Sequence, residues 1–188
     1  MKKQANWQVG QTEPALSVKD LSVKFRMYTN GTQQQDLEVI SNLCADMYAG
    51  EVLAIVGSSG SGKSILASAV MGLLPGNASV SGEMRYCGEL LTPKIQGRLR
   101  GREMSLVPQS IAYLDPLMRV DRQVQGIDAT KEQQRSIFNR FHLGREVDKM
   151  YPHQLSGGMA RRVLVSTAVI NNAKLIIADE PTPGLSVD

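Results

Sequence analysis

Apolar positions alternate with polar ones along the first quarter of the chain. Val18, Leu21, Val23 and Phe25 mark this pattern and predict a strand over Leu16 to Tyr28. Asn30-Gly31 signals a turn inside a polar loop through Asp36, after which Leu37 to Ile40 and Leu43 to Tyr48 read as further strands. Ala49-Gly50-Glu51 turns the chain into Val52-Leu53-Ala54-Ile55-Val56, a continuous apolar run of the kind that suits a buried parallel strand. The period then becomes helical. Ile65, Leu66, Ala69, Val70 and Leu73 share one face of a helix over Ser64 to Leu74, with Pro75-Gly76 as its stop.

Val80 to Leu91 returns to strand-like alternation, punctuated by Gly82 and Gly88. Ile95 to Arg102 is a basic, helix-compatible stretch. Met104 to Val107 reads as a buried strand stopped by Pro108, and Ser110 to Val120, with Asp115-Pro116 inside it, as a loop or broken helix. Thr130-Lys131-Glu132-Gln133 is a capping box. The helix it opens runs to about Leu143, with Ile137, Phe138 and Phe141 on one face and Gly144 as its stop. Another helix is expected from Met159 to about Asn171, its inward face formed by Ala160, Val163, Leu164, Thr167 and Ala168. Leu175 to Ala178 is an apolar strand that delivers Asp179 and Glu180. The pattern predicts an antiparallel β piece followed by an α/β core, with residues 1–13 as a loose polar terminus.

The length of 188 residues bounds the chain to one domain, or one domain with a lobe, large enough for a proper core. Hydrophobic content of 42% and charged content of 21% are ordinary for a globular protein. A net charge of +3 with scattered basic residues and 5% aromatics gives no nucleic-acid footprint. No apolar run approaches the roughly 18 residues that would span a bilayer. Lys2-Lys3 is not followed by the apolar segment of a signal peptide, so a reducing, cytoplasmic setting is expected. Cys44 and Cys87 are isolated thiols with neither metal nor disulfide spacing, and read as small buried hydrophobes.

Three stretches carry chemistry. Gly57-Ser58-Ser59-Gly60-Ser61-Gly62-Lys63-Ser64 fits the G-x-x-x-x-G-K-[ST] pattern, placed between an apolar run and a helix as that pattern requires. Its glycines let backbone N–H groups wrap a phosphate, and the helix start adds its positive end. Lys63 supplies a point charge for β- and γ-phosphates, and Ser64 a hydroxyl for Mg2+. A strand ending in Asp179-Glu180 is the natural complement: the first carboxylate can hold Mg2+, the second can orient or deprotonate water. Leu155-Ser156-Gly157-Gly158 opens a helix and offers a second anion site; a serine N-cap is the plainer alternative.

With these motifs in this order, residues 16 to 188 resemble the ATP-binding cassette (ABC) ATPases. Gly57 to Ser64 matches the Walker A loop, Gln109 the Q-loop glutamine, Leu155 to Met159 the signature and Leu175 to Glu180 Walker B. Tyr151-Pro152-His153-Gln154, Met71-Gly72-Leu73-Leu74 and Ala178 to Thr182 narrow the likeness to the dipeptide/oligopeptide/nickel importer ATPases.

The resemblance implies an α/β, P-loop NTPase core of ABC type, with an antiparallel β lobe at about 16–50 and a helical subdomain at about 110–160. It implies a nucleotide held by Phe25 against adenine (Tyr28 second), by Gly57 to Ile65, and by Gln109. Mg2+ would be held by Ser64, Gln109 and Asp179, with Lys63 and Glu180 as catalytic groups. Ser156, Gly157 and Gly158 would close over the ATP of a second, identical or different, ATPase subunit. Membrane permease subunits would hold the protein at the cytoplasmic face, with a solute-binding protein acting indirectly and no nucleic acid involved. The implied activity is ATP hydrolysis energising import of peptides or nickel-type complexes.

Other readings stay open: a soluble ABC ATPase acting on nucleic acid or ribosomes, and a nucleotide-binding module without turnover. The second is prompted by departures from the family pattern. Met159 replaces the usual glutamine, and Ser186 stands at the usual aspartate of the loop after Walker B, with Asp188 nearby. No histidine follows Glu180. The expectation is a cassette shortened at its C-terminus.

Overall fold

The computed structural model describes residues 13–29, 33–126 and 129–180. The expected terminus over residues 1–13 (all but residue 13), the Asn30-Gly31 turn, and Ser186 and Asp188 lie outside the described residues. The chain divides into two compact units between Arg98 and Leu99.

The first unit is built on an antiparallel sheet. Strands β1 (Leu16–Thr29), β2 (Gln33–Met47), β3 (Ala78–Tyr86) and β4 (Glu89–Leu90) lie in the order β2-β1-β3-β4. β1 is central, pairing Val23 with Ile40 on one side and with Val80 on the other. Its inward residues Val18, Leu21 and Val23 are buried with Ile40, Met84 and Tyr86. The register shifts near Leu21, where Asp20 and Asn42 adopt positive φ. There the Asn42 N–H donates to Ser22 Oγ at 2.9 Å, satisfying a group that the shifted ladder releases.

Helix α1 (Lys63–Met71) buries Leu66, Ala67, Ala69 and Val70. It ends sooner than the sequence pattern predicts. Gly72 takes a left-handed conformation (φ 65°), so its N–H reaches Ala69 O at 3.1 Å and the Leu73 N–H reaches Ser68 O at 2.8 Å. Pro75-Gly76 is therefore not the stop, and Leu73 lies outside the helix, 49% exposed. Buried Gln96, on helix α2 (Pro93–Leu99), donates to Ala69 O and Val70 O at 2.8 and 3.0 Å, taking up carbonyls at that end.

Three further expectations in this unit are corrected. Gln33 to Asp36 belong to β2 rather than to a polar loop. Val52 to Val56 form no strand and are exposed, Val52 by 97% and Val56 by 89%. A parallel strand requires a parallel ladder, and every strand of this unit's sheet pairs antiparallel. Cys44 and Cys87 are exposed rather than buried.

In the second unit β5 (Met104–Val107) and β6 (Leu175–Ala178) pair in parallel, Met104 with Leu175 through Val107 with Ala178. The Asp179 N–H extends the ladder by donating to Val107 O at 2.9 Å. Helices α3 (Val120–Gln125), α4 (Lys131–Arg140) and α5 (Gly157–Val169) surround an apolar cluster of Val120, Val124, Phe138, Val147, Val163 and Leu164. Short 3₁₀ turns at Ile111–Tyr113, Arg145–Lys149 and Pro152–Gln154 link them.

The capping box forms as read. Thr130 Oγ1 accepts from the Gln133 N–H at 3.2 Å, and the Gln133 side chain accepts from the Thr130 N–H at 2.8 Å. α4 stops at Arg140, however, with His142 (φ 54°) as the left-handed residue in place of Gly144. On α5 Ser166 is buried and Thr167, expected inward, is half-buried; the Ser166 hydroxyl is satisfied by donating back to Arg162 O at 2.8 Å. Among the described residues no helix is long and apolar enough to cross a membrane.

Candidate functional site

In the first unit, Gly57 to Gly62 forms a loop, exposed up to the buried Gly62, that runs into α1 at Lys63 and Ser64. The Ser61 N–H donates to Ser58 O at 3.2 Å, closing a turn. Gly60 (φ 79°) and Gly62 (φ 90°) occupy the left-handed region, which side chains other than glycine rarely adopt. Gly62 is also crowded: a Cβ there would stand 3.2 Å from Val39 O and from Ile40 Cγ1. The loop therefore needs glycine for both conformation and space.

Lys63 folds back over this loop, its Nζ donating to Gly57 O and Ser58 O at 2.8 Å each. Backbone carbonyls are weak acceptors beside phosphate oxygens, so the ammonium is poised for an anion. A cavity of about 250 Å³ adjoins the loop, lined by Val39, Ile40, Ile55, Gly57, Lys63 and Leu66. Phe25 is half-buried on β1 between Leu37 and Ala78, its ladder partners. Tyr28 is 67% exposed and accepts from Gln34 Nε2 at 3.0 Å.

In the second unit, two parallel strands end side by side and set down their next residues together. Gln109 follows β5 after Pro108, and its Nε2 donates to Glu180 Oε2 beyond β6. Asp179, between strand and Glu180, is half-buried. Glu180 has φ 46°, uncommon for a residue with a side chain.

Ser156 caps α5, its Oγ accepting from the Met159 N–H at 3.3 Å, so the serine N-cap is formed. Gly157 and Gly158 are exposed, and a Cβ on either would meet nothing within 4 Å. The chain's own packing gives neither glycine a reason.

The structure thus gathers Gly57 to Ile65 in one unit, and Gln109, Asp179 and Glu180 in the other. Magnesium is a hard cation that keeps several waters and uses few protein ligands. Within the second unit Gln109 and Asp179 offer oxygen donors of that kind, one of them a carboxylate, and within the first unit Ser64 offers a hydroxyl; no cluster of three or more His, Cys, Asp or Glu forms among the described residues.

Sequence reasoning missed Arg161. Its Nη1 donates to Pro108 O and Gln109 O at 2.8 Å each, and its Nη2 to Glu180 O at 2.5 Å. The only signal was an arginine three residues beyond Gly158, on the half-buried side of α5.

The sequence profile of the family described as ABC transporter matches residues 40–183. The chain belongs to the ABC transporter family. It is 38% identical over 192 residues to the oligopeptide transport ATP-binding protein OppD of Escherichia coli K12, covering 94% of this chain and 56% of the relative. It is 37% identical over 193 residues to the peptidoglycan transport ATP-binding protein YejF of Agrobacterium fabrum, covering 94% and 34%. To the dipeptide transport ATP-binding protein DppD of Lactococcus lactis it is 35% identical, covering 93% and 54%. The chain spans about half the length of the curated relatives it matches, a third in the case of YejF.

Among solved structures it resembles the dimeric ATP-binding cassette MJ0796 in a post-hydrolysis state bound to ADP and Pi. The TM-score is 0.78 at 23% identity, covering 92% of this chain and 76% of that one. At that identity the likeness speaks for the fold, which is the α/β, P-loop ABC-type fold expected from the motifs.

Proposed function

We propose that this protein binds ATP with Mg2+ and hydrolyses it to drive an ABC importer of peptides. Each role follows from chemistry already described. The Gly57 to Ile65 backbone and Lys63 hold the triphosphate, and Phe25 stacks on adenine. Ser64, Asp179 and Gln109 hold Mg2+, which neutralises charge on the phosphates. Glu180 accepts a proton from the attacking water, or orients it, while Gln109 fixes the carboxylate.

Ser156, Gly157 and Gly158 act on the nucleotide of a second ATPase subunit; bare, exposed glycines at a helix start favour close backbone approach by something outside the chain. Membrane permease subunits hold the protein at the cytoplasmic face and, with a solute-binding protein, select the cargo. The relatives' names favour peptides over nickel complexes as that cargo.

The observation that carries this reading is the pairing of Gln109 with Glu180 at the ends of β5 and β6, one residue beyond Asp179. Glu180→Gln keeps an acceptor for Gln109 but removes the carboxylate. In the full-length protein this variant should bind ATP normally and hydrolyse it about 10²–10⁴-fold more slowly. Hydrolysis at the wild-type rate would remove Glu180 from the mechanism.

A further inference from the structure

Helix α5 is tied to both catalytic strand ends by a single side chain. Arg161 reaches Pro108 O and Gln109 O with one terminal nitrogen, and Glu180 O with the other, at 2.8, 2.8 and 2.5 Å. A guanidinium is planar and permanently charged, and presents its donors in a fixed fork. Hydrogen bonds from such a cation are roughly twice as strong as neutral ones. The fork therefore fixes the spacing of the three backbone carbonyls it touches.

Glu180 is a residue that needs fixing. Its φ of 46° persists only where the surroundings hold it. Its carboxylate is held by Gln109 and its carbonyl by Arg161. Gln109's own carbonyl is held by the same guanidinium. Both partners of the Gln109–Glu180 hydrogen bond are thus anchored at their backbones to one group, which itself stands on the second turn of α5.

We propose that Arg161 is a positioning residue: it sets the Glu180 carboxylate at the angle and height from which the attacking water is oriented, and keeps Gln109 against it. This rests on the reading of Glu180 as the water-orienting carboxylate. The Arg161 fork engages the backbone carbonyls of Pro108, Gln109 and Glu180, so its loss should act through the placing of Glu180, on turnover more than on nucleotide affinity.

The test uses the full-length protein as wild type, Arg161→Met, Arg161→Lys, Glu180→Gln and the double variant Arg161→Met/Glu180→Gln. ATP turnover, ATP affinity and melting temperature are measured for each. Methionine keeps the length and apolar contacts of the stem and removes the fork. Arg161→Met should lower kcat about tenfold to a hundredfold, the scale of a small misplacement of a catalytic group, with KM and ATP affinity within about twofold of wild type. Arg161→Lys, which offers a point charge without the fork, should fall between the two.

The double variant should be no slower than Glu180→Gln alone, because a carboxylate that is absent cannot be mispositioned. A wild-type kcat in Arg161→Met, or a double variant slowed by the product of the two single losses, would overturn the proposal. Should Arg161→Met fail to fold, Arg161→Lys decides: a lowered kcat at unchanged melting temperature supports the proposal and an unchanged kcat refutes it. If the wild type hydrolyses no ATP, the reading of Glu180 fails on its own account. Hydrogen exchange over 104–110 and 175–180 then decides the clamp, faster exchange in the variant supporting it and identical exchange refuting it.

Discussion

Ser156 carries two roles that a pair of substitutions separates. Its Oγ accepts from the Met159 N–H at 3.3 Å, which caps α5, and the proposed function turns the same helix start toward a second subunit's nucleotide. The cap bond is long and exposed, so Ser156→Ala should cost toward the lower end of the usual capping range, about 0.5–1 kcal/mol. For a chain of 188 residues, 1 kcal/mol corresponds to about 2–4 °C in melting temperature, so a fall of about 1–4 °C is expected. Ser156→Asp retains a capping oxygen and places a negative charge at the positive end of the helix, leaving the melting temperature level or slightly raised. That charge, however, repels a phosphate presented to the same N–H groups, and ATP turnover should drop by about tenfold or more. Melting curves and steady-state ATPase assays on the full-length variants measure both effects. Wild-type turnover in Ser156→Asp would show that the start of α5 does not face nucleotide. A melting temperature as low as that of Ser156→Ala would show that the cap itself has been misjudged.

Phe138 is fully buried in the cluster that also receives Val163 and Leu164 of α5, so Phe138→Ala should lose about 3–5 kcal/mol in denaturant unfolding; a loss under about 1 kcal/mol would contradict the packing described. The Glu132 carboxyl is held below its ordinary value of 4.5, first by the backbone N–H at the start of α4 and then by the Thr130 side chain. A carboxyl depressed in the folded state contributes stability above its unfolded pKa and loses it as pH falls through the folded value. Glu132→Gln should therefore flatten the acid side of the stability profile, and an NMR titration of Glu132 with its midpoint at or above 4.5 would refute this.

Local signals were legible where chemistry and conformation lie close together in sequence. The Thr130–Gln133 capping box and the left-handed turn at Gly60 form from their own residues, and the bounds of β5, with Pro108 as its stop, are read correctly from its apolar run. Long-range dependence explains the misses. The end of α1 looked like a proline-glycine stop, but the left-handed Gly72 ends it, and Gln96 takes up the carbonyl of Ala69 from 27 residues away. Val52 to Val56 has the composition of a buried strand, but composition does not supply the parallel partner a ladder needs. Arg161 is unreadable in sequence for the same reason. Its acceptors stand 53, 52 and 19 residues away, and only the pairing of β5 with β6 gathers them.

Titration calorimetry of ATP–Mg2+ into the wild-type protein and into Lys63→Ala tests the central claim most directly. Lys63 now rests on the Gly57 and Ser58 carbonyls, which phosphate oxygens should displace. The wild type should bind ATP, and Lys63→Ala, folded to the same melting temperature, should bind it at least about tenfold more weakly, a difference of about 1.4 kcal/mol. Equal affinity in the two proteins, or no binding by the wild type, would contradict the account.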